Sequence, residues 1–434
     1  MYQHTSTKSD AYRYDLYSAI KPLYYMSKLM GLAPFIYIQG TCAKITLIKS
    51  SWLGNIYSFS LMLLIIACKA GTLIGRIYYI YPKLVMTLTV TDFMIWVSSG
   101  ICMLASFIVA TTFGQMKLFR ILKMISYIDE ILLADVSNNY RKISLFLKAQ
   151  LILLYSIVGG ICIYDYYVKT SQVGNRLLFY IPMIYLNFLV MYTIIAQFVN
   201  LILLIWHRYK VLNSYLFSKY KFGKITKTCQ VNASHISLHN GRKAMKNKSQ
   251  LDLEIEKHPS HVLTFTQLHT LRILHNLLYD CSELVSSMYG FQIMLEMVNS
   301  VIRTTTSLYY SVTFAVQAFS YNGSEDITKQ KHIFVLNTCW IPILFMKMTS
   351  VSLTCHLASS EANQTAILLQ KLLLIDNIDQ NVKVEIQEFI QQVHNQKLGF
   401  KACGFFKIDL SMLRALVVAV FTYLLILIQF YIPK

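Results

Sequence analysis

The sequence predicts an all-α integral membrane protein with seven transmembrane helices, its N-terminus cytoplasmic and its C-terminus extracellular. Composition carries the first part of that expectation. Of 434 residues, 55% are hydrophobic and 14% charged, with a mean hydropathy of +0.46; a soluble domain carries about a quarter charged residues. The apolar residues fall in long blocks, and the basic residues collect between those blocks. The formal net charge of +19 therefore tracks membrane topology and does not point to a nucleic-acid partner.

A hydrocarbon core about 30 Å thick takes about 20 apolar residues of helix, and seven segments reach that length. The first two run from Ser51 to Ile74 and from Leu84 to Phe113. Leu145 to Val168 and Leu177 to Trp206 are the third and fourth. The fifth covers Val285 to Phe319, the sixth His332 to Thr354 and the seventh Leu410 to Ile432. Lys69 interrupts the first, and Glu296 and Arg303 the fifth, so these two are the least clean. Met1 to Asp10 is polar and lacks the apolar region of a cleavable signal, so the first span is expected to direct insertion itself.

Orientation follows from the basic residues. With the N-terminus inside, 28 of the 40 Lys and Arg lie in inner segments and 7 in outer loops and tail. Leaving out the long inner loop still gives 16 against 7, the bias of a cytoplasmic N-terminus. A G-protein-coupled receptor starts outside, so the charge count opposes that metabotropic alternative. The chain then divides into a cytoplasmic segment at 1–50 and spans one to six at 51–354, with a long cytoplasmic loop at about 207–284. Cytoplasmic anchor helices follow at 355–409, then the last helix and a short extracellular tail at 410–434. Asn322 heads a glycosylation sequon in an outer loop. Asn232, Asn247 and Asn363 head sequons on the inner side, so the motif supports the topology only weakly.

Two inner stretches carry apolar residues at helical spacing. Gln115 to Leu133 does so through Leu118, Ile121, Leu122, Ile125, Ile128, Ile131 and Leu132, as an extension of span two. Ala366 to Val393 does so before span seven, through Leu369, Leu372, Leu373, Val382, Ile386, Phe389 and Ile390. Between them, Lys219 to Ser260 is basic and polar and is expected to be disordered. No internal repeat supports a transporter.

Enzyme and cofactor readings find no footing. His235 with His239, and His258 with His261, come without a nearby HExxH glutamate or a cysteine cluster, so no metal is expected. Neither a nucleophile elbow nor a phosphate-binding glycine loop is present. None of the nine cysteines lies in a predicted outer loop, so no disulfide framework is expected.

The most specific signal is C-terminal. Phe400-Lys401-Ala402-Cys403-Gly404-Phe405-Phe406-Lys407-Ile408-Asp409 leads into the last span, which ends Thr422-Tyr423-Leu424-Leu425-Ile426-Leu427-Ile428-Gln429-Phe430. This resembles the signature of the insect gustatory receptor family, in which Thr-Tyr, five aliphatics and Gln-Phe close the chain. Gly31-Leu32-Ala33-Pro34, Ser51-Trp52-Leu53, Tyr180-Ile181-Pro182 and Cys355-His356-Leu357-Ala358 resemble the branch containing fructose receptors, so the likeness spans the chain. The related odorant receptors share this architecture and are the neighbouring alternative.

The resemblance implies a ligand-gated, nonselective cation channel in the membrane of gustatory neurons, surrounded by lipid. It implies a tetramer, either homomeric or formed with other gustatory receptors, in which four copies of the last helix enclose one pore. Carried onto this chain, Ile426, Gln429 and Phe430 would ring its outer part. A glutamine in an aliphatic helix needs water or a polar partner, and apolar rings beside it can close a pore by dewetting. The implied ligand is a small tastant, a sugar or a plant-derived bitter compound, held in the outer half of the bundle. Candidate contacts there are Asp92, Trp96, Asp165, Phe179, Tyr185, Asn187, Thr305, Tyr309 and Trp340. Asp92 has a structural alternative, pairing with Arg303. Phe179 stands where the fructose branch tends to have tryptophan; it lacks the indole donor, which puts a bitter compound level with a sugar.

Overall fold

A computed structural model describes residues 16–39, 46–79, 81–83, 86–133, 136–173, 181–237, 264–320, 324–375 and 378–431. Helix α1, Leu16–Leu29, precedes an antiparallel hairpin of β1, Phe35–Gln39, and β2, Thr46–Ser50. Then come α2, Trp52–Tyr79, α3, Met86–Thr111, α4, Gly114–Leu132, and α5, Val136–Val173. Three very long helices follow: α6, Ile181–Ser237, α7, Phe265–Ser320, and α8, Ser324–Leu373. Helix α9, Gln380–Asn395, a small hairpin of β3, Lys401–Ala402, with β4, Phe406–Lys407, and α10, Leu410–Tyr431, complete the described chain.

Among the described residues, six helices are long and apolar enough to cross a membrane, over Trp52–Tyr78, Met86–Thr111, Asn139–Tyr167, Tyr185–Tyr220, Phe334–Leu373 and Leu410–Gln429. The predicted fifth span lies within α7, which is not one of the six. The reason is its position. Helix α7 packs against α3, α4, α6, α8, α9 and α10, and it buries Gln292, Glu296, Asn299, Ser300, Thr304, Thr305 and Thr306. A helix enclosed by other helices can turn polar groups inward, where a lipid-facing one cannot.

At 57, 56 and 50 residues, α6, α7 and α8 are each about 75–85 Å long, well beyond a core about 30 Å thick. Their far ends converge with α4 and α9 around Ile125, Ile128, Leu212, Leu274, Leu278, Ala358, Leu369, Ile386 and Phe389, all within the main hydrophobic cluster. The apolar positions expected to make inner amphipathic helices build this end of the main cluster.

Three expectations change in detail. Helix α4 does not extend α3; a turn at Thr112–Phe113 separates them. Gly114 permits that break, because a Cβ there would lie 2.6 Å from the Val109 carbonyl oxygen. The stretch Ala366 to Val393 forms two helices, the end of α8 and α9, with Asp376-Asn377-Ile378-Asp379 between them; Asp and Asn compete for backbone hydrogen bonds and favour helix ends. The expected disordered insert opens as helix, since α6 continues to Ser237; propagation adds one hydrogen bond for each residue fixed. Its remainder, with Asn322, Phe179 and residues 1–15, lies outside the described residues.

Candidate functional site

The region where α2, α3, α6, α7 and α8 meet holds a set of charged and aromatic side chains. Lys69 of α2 is buried and donates to Ser99 Oγ at 2.8 Å and to the Trp96 carbonyl at 3.2 Å, with its Nζ 5.2 Å from the centre of the Trp96 ring. Ser98 donates to Asn299 Oδ1 at 3.0 Å, which ties α3 to α7. Glu296 of α7 pairs with Lys347 of α8 at 2.5 Å, both buried. Two turns further along α7, the Arg303 guanidinium sits 4.3 Å from the centre of the Phe188 ring, which stacks in turn on Trp340 at 5.0 Å.

The predicted contacts separate into groups. Trp96 and Trp340 belong to this set, and the Trp96 indole N–H is buried without an acceptor among the described residues. Asp165 and Tyr185 are brought together, the tyrosine hydroxyl donating to Asp165 Oδ2 at 2.8 Å. Tyr185 shares a small apolar cluster with Val158, Cys162, Tyr192 and Ile343, against which Trp340 and Phe188 pack. Asn187 and Thr305 are buried, each with a side-chain oxygen that has no partner among the described residues. Tyr309 is buried beside Tyr310, ring centres 6.2 Å apart. Asp92 does not pair with Arg303. It accepts from Arg76 and, at 3.0 Å, from the Tyr81 hydroxyl, because the α2–α3 connection places all three at one end of the bundle. Lys69 and Phe188 were missed as site residues. Lys69 looked only like a flaw in an apolar run, and Phe188 is one phenylalanine among 24.

The signature stretch before α10 has a mechanical explanation. Gly404 adopts φ +79° and Cys403 φ +52°, a left-handed turn that glycine takes without penalty. Ala402 is fully buried. Ser286 of α7 donates to the Lys401 carbonyl at 3.1 Å and accepts from the Lys401 N–H at 3.0 Å. Gly290 lets this hairpin approach, because a Cβ there would sit 3.0 Å from the Lys401 carbonyl. Asp409 then caps α10, accepting from the Ser411 N–H at 2.9 Å and the Met412 N–H at 3.2 Å.

Within one chain α10 rests on α7 and α8 through a face that includes Met412, Val420 and Leu424. The opposite face has no partner among the described residues: Val418, Phe421, Leu425, Ile426 (42% exposed) and Gln429 are open. Thr422 donates to the Val418 carbonyl of its own helix. The Phe430 side chain lies outside the described residues, although its backbone continues α10. A separate apolar cavity of about 50 Å³ lies beneath α1, lined by Leu23, Tyr24, Leu122, Gln197 and Tyr289 among others. Ligand pockets usually have at least ~300 Å³, so it is too small for a tastant.

A model of the 7tm chemosensory receptor family matches residues 20–433. The chain belongs to that family. Among curated relatives, the receptor is 28% identical over 168 residues to gustatory receptor for bitter taste 22e of Drosophila melanogaster, covering 38% of this chain and 40% of that relative. It is 22% identical over 442 residues to gustatory receptor for sugar taste 43a of the same species, covering 94% of this chain and 97% of that one. These matches place the chain in the insect gustatory receptor family: a multi-pass membrane chemosensory receptor and not an enzyme. Its fold is similar to the insect olfactory receptor OR5 from Machilis hrabei, with a TM-score of 0.61 at 13% identity over 94% of this chain and 97% of that one.

Proposed function

We propose that the receptor is a ligand-gated, nonselective cation channel of gustatory neurons. A small tastant in the outer half of the bundle opens a pore lined by α10 from four subunits, identical copies or other gustatory receptors. The observation that carries this reading is the unpartnered face of α10. Ile426 and Gln429 share it, one turn apart, and an amide open to lipid would be costly. Sibling helices around a water-filled path would satisfy it. In this arrangement α7 supplies the fifth span and brings the total to seven, the N-terminus is cytoplasmic, and the convergent inner ends of α6, α7, α8 and α9 hold the subunits together. Trp96, Trp340, Tyr185, Asn187, Thr305 and Tyr309 line the ligand site, while Asp92 serves the α2–α3 ion pair.

The test is current recording from cells expressing this chain alone, challenged with sugars and plant alkaloids, in wild type and Ile426→Cys. A bulky thiol reagent applied from outside should suppress most of the ligand-evoked current in the variant and leave wild type nearly unchanged. Full modification of the cysteine without any change in current contradicts a pore at α10. A tag fused before Met1 should be inaccessible in intact cells; surface staining of that tag would overturn the topology.

A further inference from the structure

We propose that the ligand site of this receptor is built for an anion, and that the ligand presents a carboxylate to Arg303 and Lys69. The inference rests on the reading of the outer bundle as the tastant site and names the chemical class that site takes.

The argument starts from charge. Around the junction of α2, α3, α6, α7 and α8, four cations (Lys69, Arg76, Arg303 and Lys347) meet two carboxylates, Asp92 and Glu296. Both carboxylates are committed, Asp92 to Arg76 and Glu296 to Lys347. Among the described residues Lys69 has a hydroxyl, a carbonyl and an indole face as its partners, with no carboxylate at ion-pair distance. Arg303 has the Phe188 face, with no carboxylate at ion-pair distance and no hydrogen-bond acceptor among the described residues. Lys69 and Arg303 lie within electrostatic range of each other. Asp165 is engaged with Tyr185.

Two basic side chains with no carboxylate at ion-pair distance among the described residues are expensive inside a membrane bundle, even with Glu296 acting on Arg303 from further off, and such groups mark functional paths or sites. Two neighbouring donors favour an anion, while the Asn187 Oδ1 acceptor is also without a partner among the described residues. The Trp96 indole N–H has no acceptor, and the Tyr192 hydroxyl, buried beside Arg303, has no partner among the described residues. A place with spare donors and spare positive charge is complementary to an acceptor-only, negatively charged group. The planar fork of Arg303 suits a carboxylate in particular. By helix rise, Arg303 lies about 27 Å along α7 from Val285, in the outer half of the span, where an extracellular ligand arrives.

Matched pairs of probes test this on the full-length receptor in lipid nanodiscs at pH 7.4: benzoate against benzamide, and gluconate against glucose. Isothermal titration reads binding, and recordings from the same proteins read current. The expected result is at least one carboxylate binding about tenfold or more tightly than its neutral partner. Arg303→Gln should abolish that preference, Arg303→Lys keep part of it, and Lys69→Gln weaken it. Carboxylate-selective binding that evokes no current supports the anion site and counts against the gating scheme alone. Neutral partners binding as well as the acids, or no probe binding at all, overturns the inference. So does a preference unchanged in Arg303→Gln. Should that variant not fold, the wild-type pairs and Lys69→Gln decide.

Discussion

Arg208 and Asp129 set the terms where α4 meets α6. Both side chains are sealed, at 0% and 1% exposure, and their contact is bidentate: Nε to Oδ1 at 2.9 Å and Nη2 to Oδ2 at 2.7 Å. The Tyr140 hydroxyl also donates to Asp129, and Arg208 Nη1 donates to the Leu204 carbonyl at 3.0 Å. The net worth of such a pair is small, but removing one partner strands a buried charge at a cost of about 3–5 kcal/mol. Asp129→Ala should therefore lose most of its folded yield in a detergent thermal melt, and adding Arg208→Met should restore part of it. A single variant at least as stable as the double contradicts the pairing. His275 supplies a second test. Its ring lies edge-on between Tyr209 and Phe389 at 5.3 and 5.5 Å, and burial lowers its pKa to about 4. The unfolded chain, with a pKa near 6.5, takes up a proton first as pH falls. Stability is full above about pH 6.5 and is lost progressively down to about pH 4, by on the order of 3 kcal/mol. His275→Phe should flatten the fall in melting temperature between pH 7 and pH 5; an unchanged slope would show that His275 is not its source.

Among the elements, the sequence revealed most where burial and lipid act alike along a whole helix. The apolar runs of α2, α3, α5, α6, α8 and α10 were legible because lipid demands a continuous apolar exterior. The inner helices were legible from spacing, as Ile121, Ile125 and Ile128 all reached the core. Helix α7 was harder, because its polar residues serve neighbours and not solvent. Helix α1 went unread: it is short and contains Pro22, although its buried Leu16, Ala19, Ile20, Leu23, Tyr24 and Ser27 keep helical spacing. At the site, Trp96 and Trp340 were legible as aromatics in spans, but the partner of Asp92 was not, since Arg76 lies sixteen positions away across a connection whose geometry no spacing rule gives. The C-terminal signature proved to be a chain of local demands, and Asp409 tests it. Burial works upward on its carboxyl, but the Ser411 hydroxyl, the Met412 and Ser411 N–H groups and nearby Lys407 outweigh that and hold its pKa below the ordinary value. Asp409→Ala should cost about 1 kcal/mol and reduce surface expression, with Asp409→Asn close to wild type. Equal loss in both variants would mean that the charge, not the cap, is what matters.

The whole molecule combines two regions that share one hydrophobic cluster. In the proposed topology the outer region places polar and aromatic groups inside a lipid-facing bundle, and the inner one is built from the long ends of α6, α7 and α8 with α4 and α9. Helix α10 belongs to neither. It leans on α7 and α8 by one face, and the hairpin before it is held on α7 at Ser286 and Gly290, so in the proposed gating scheme a movement of α7 would reach it. That coupling has a purpose only if the free face of α10 borders a conduit. The most direct measurement is electron cryo-microscopy of the purified receptor in nanodiscs. The account predicts four subunits around one axis, with Ile426 and Gln429 of each turned toward a central water-filled passage. Monomers, or an assembly in which those residues face lipid and no passage runs between subunits, would contradict it.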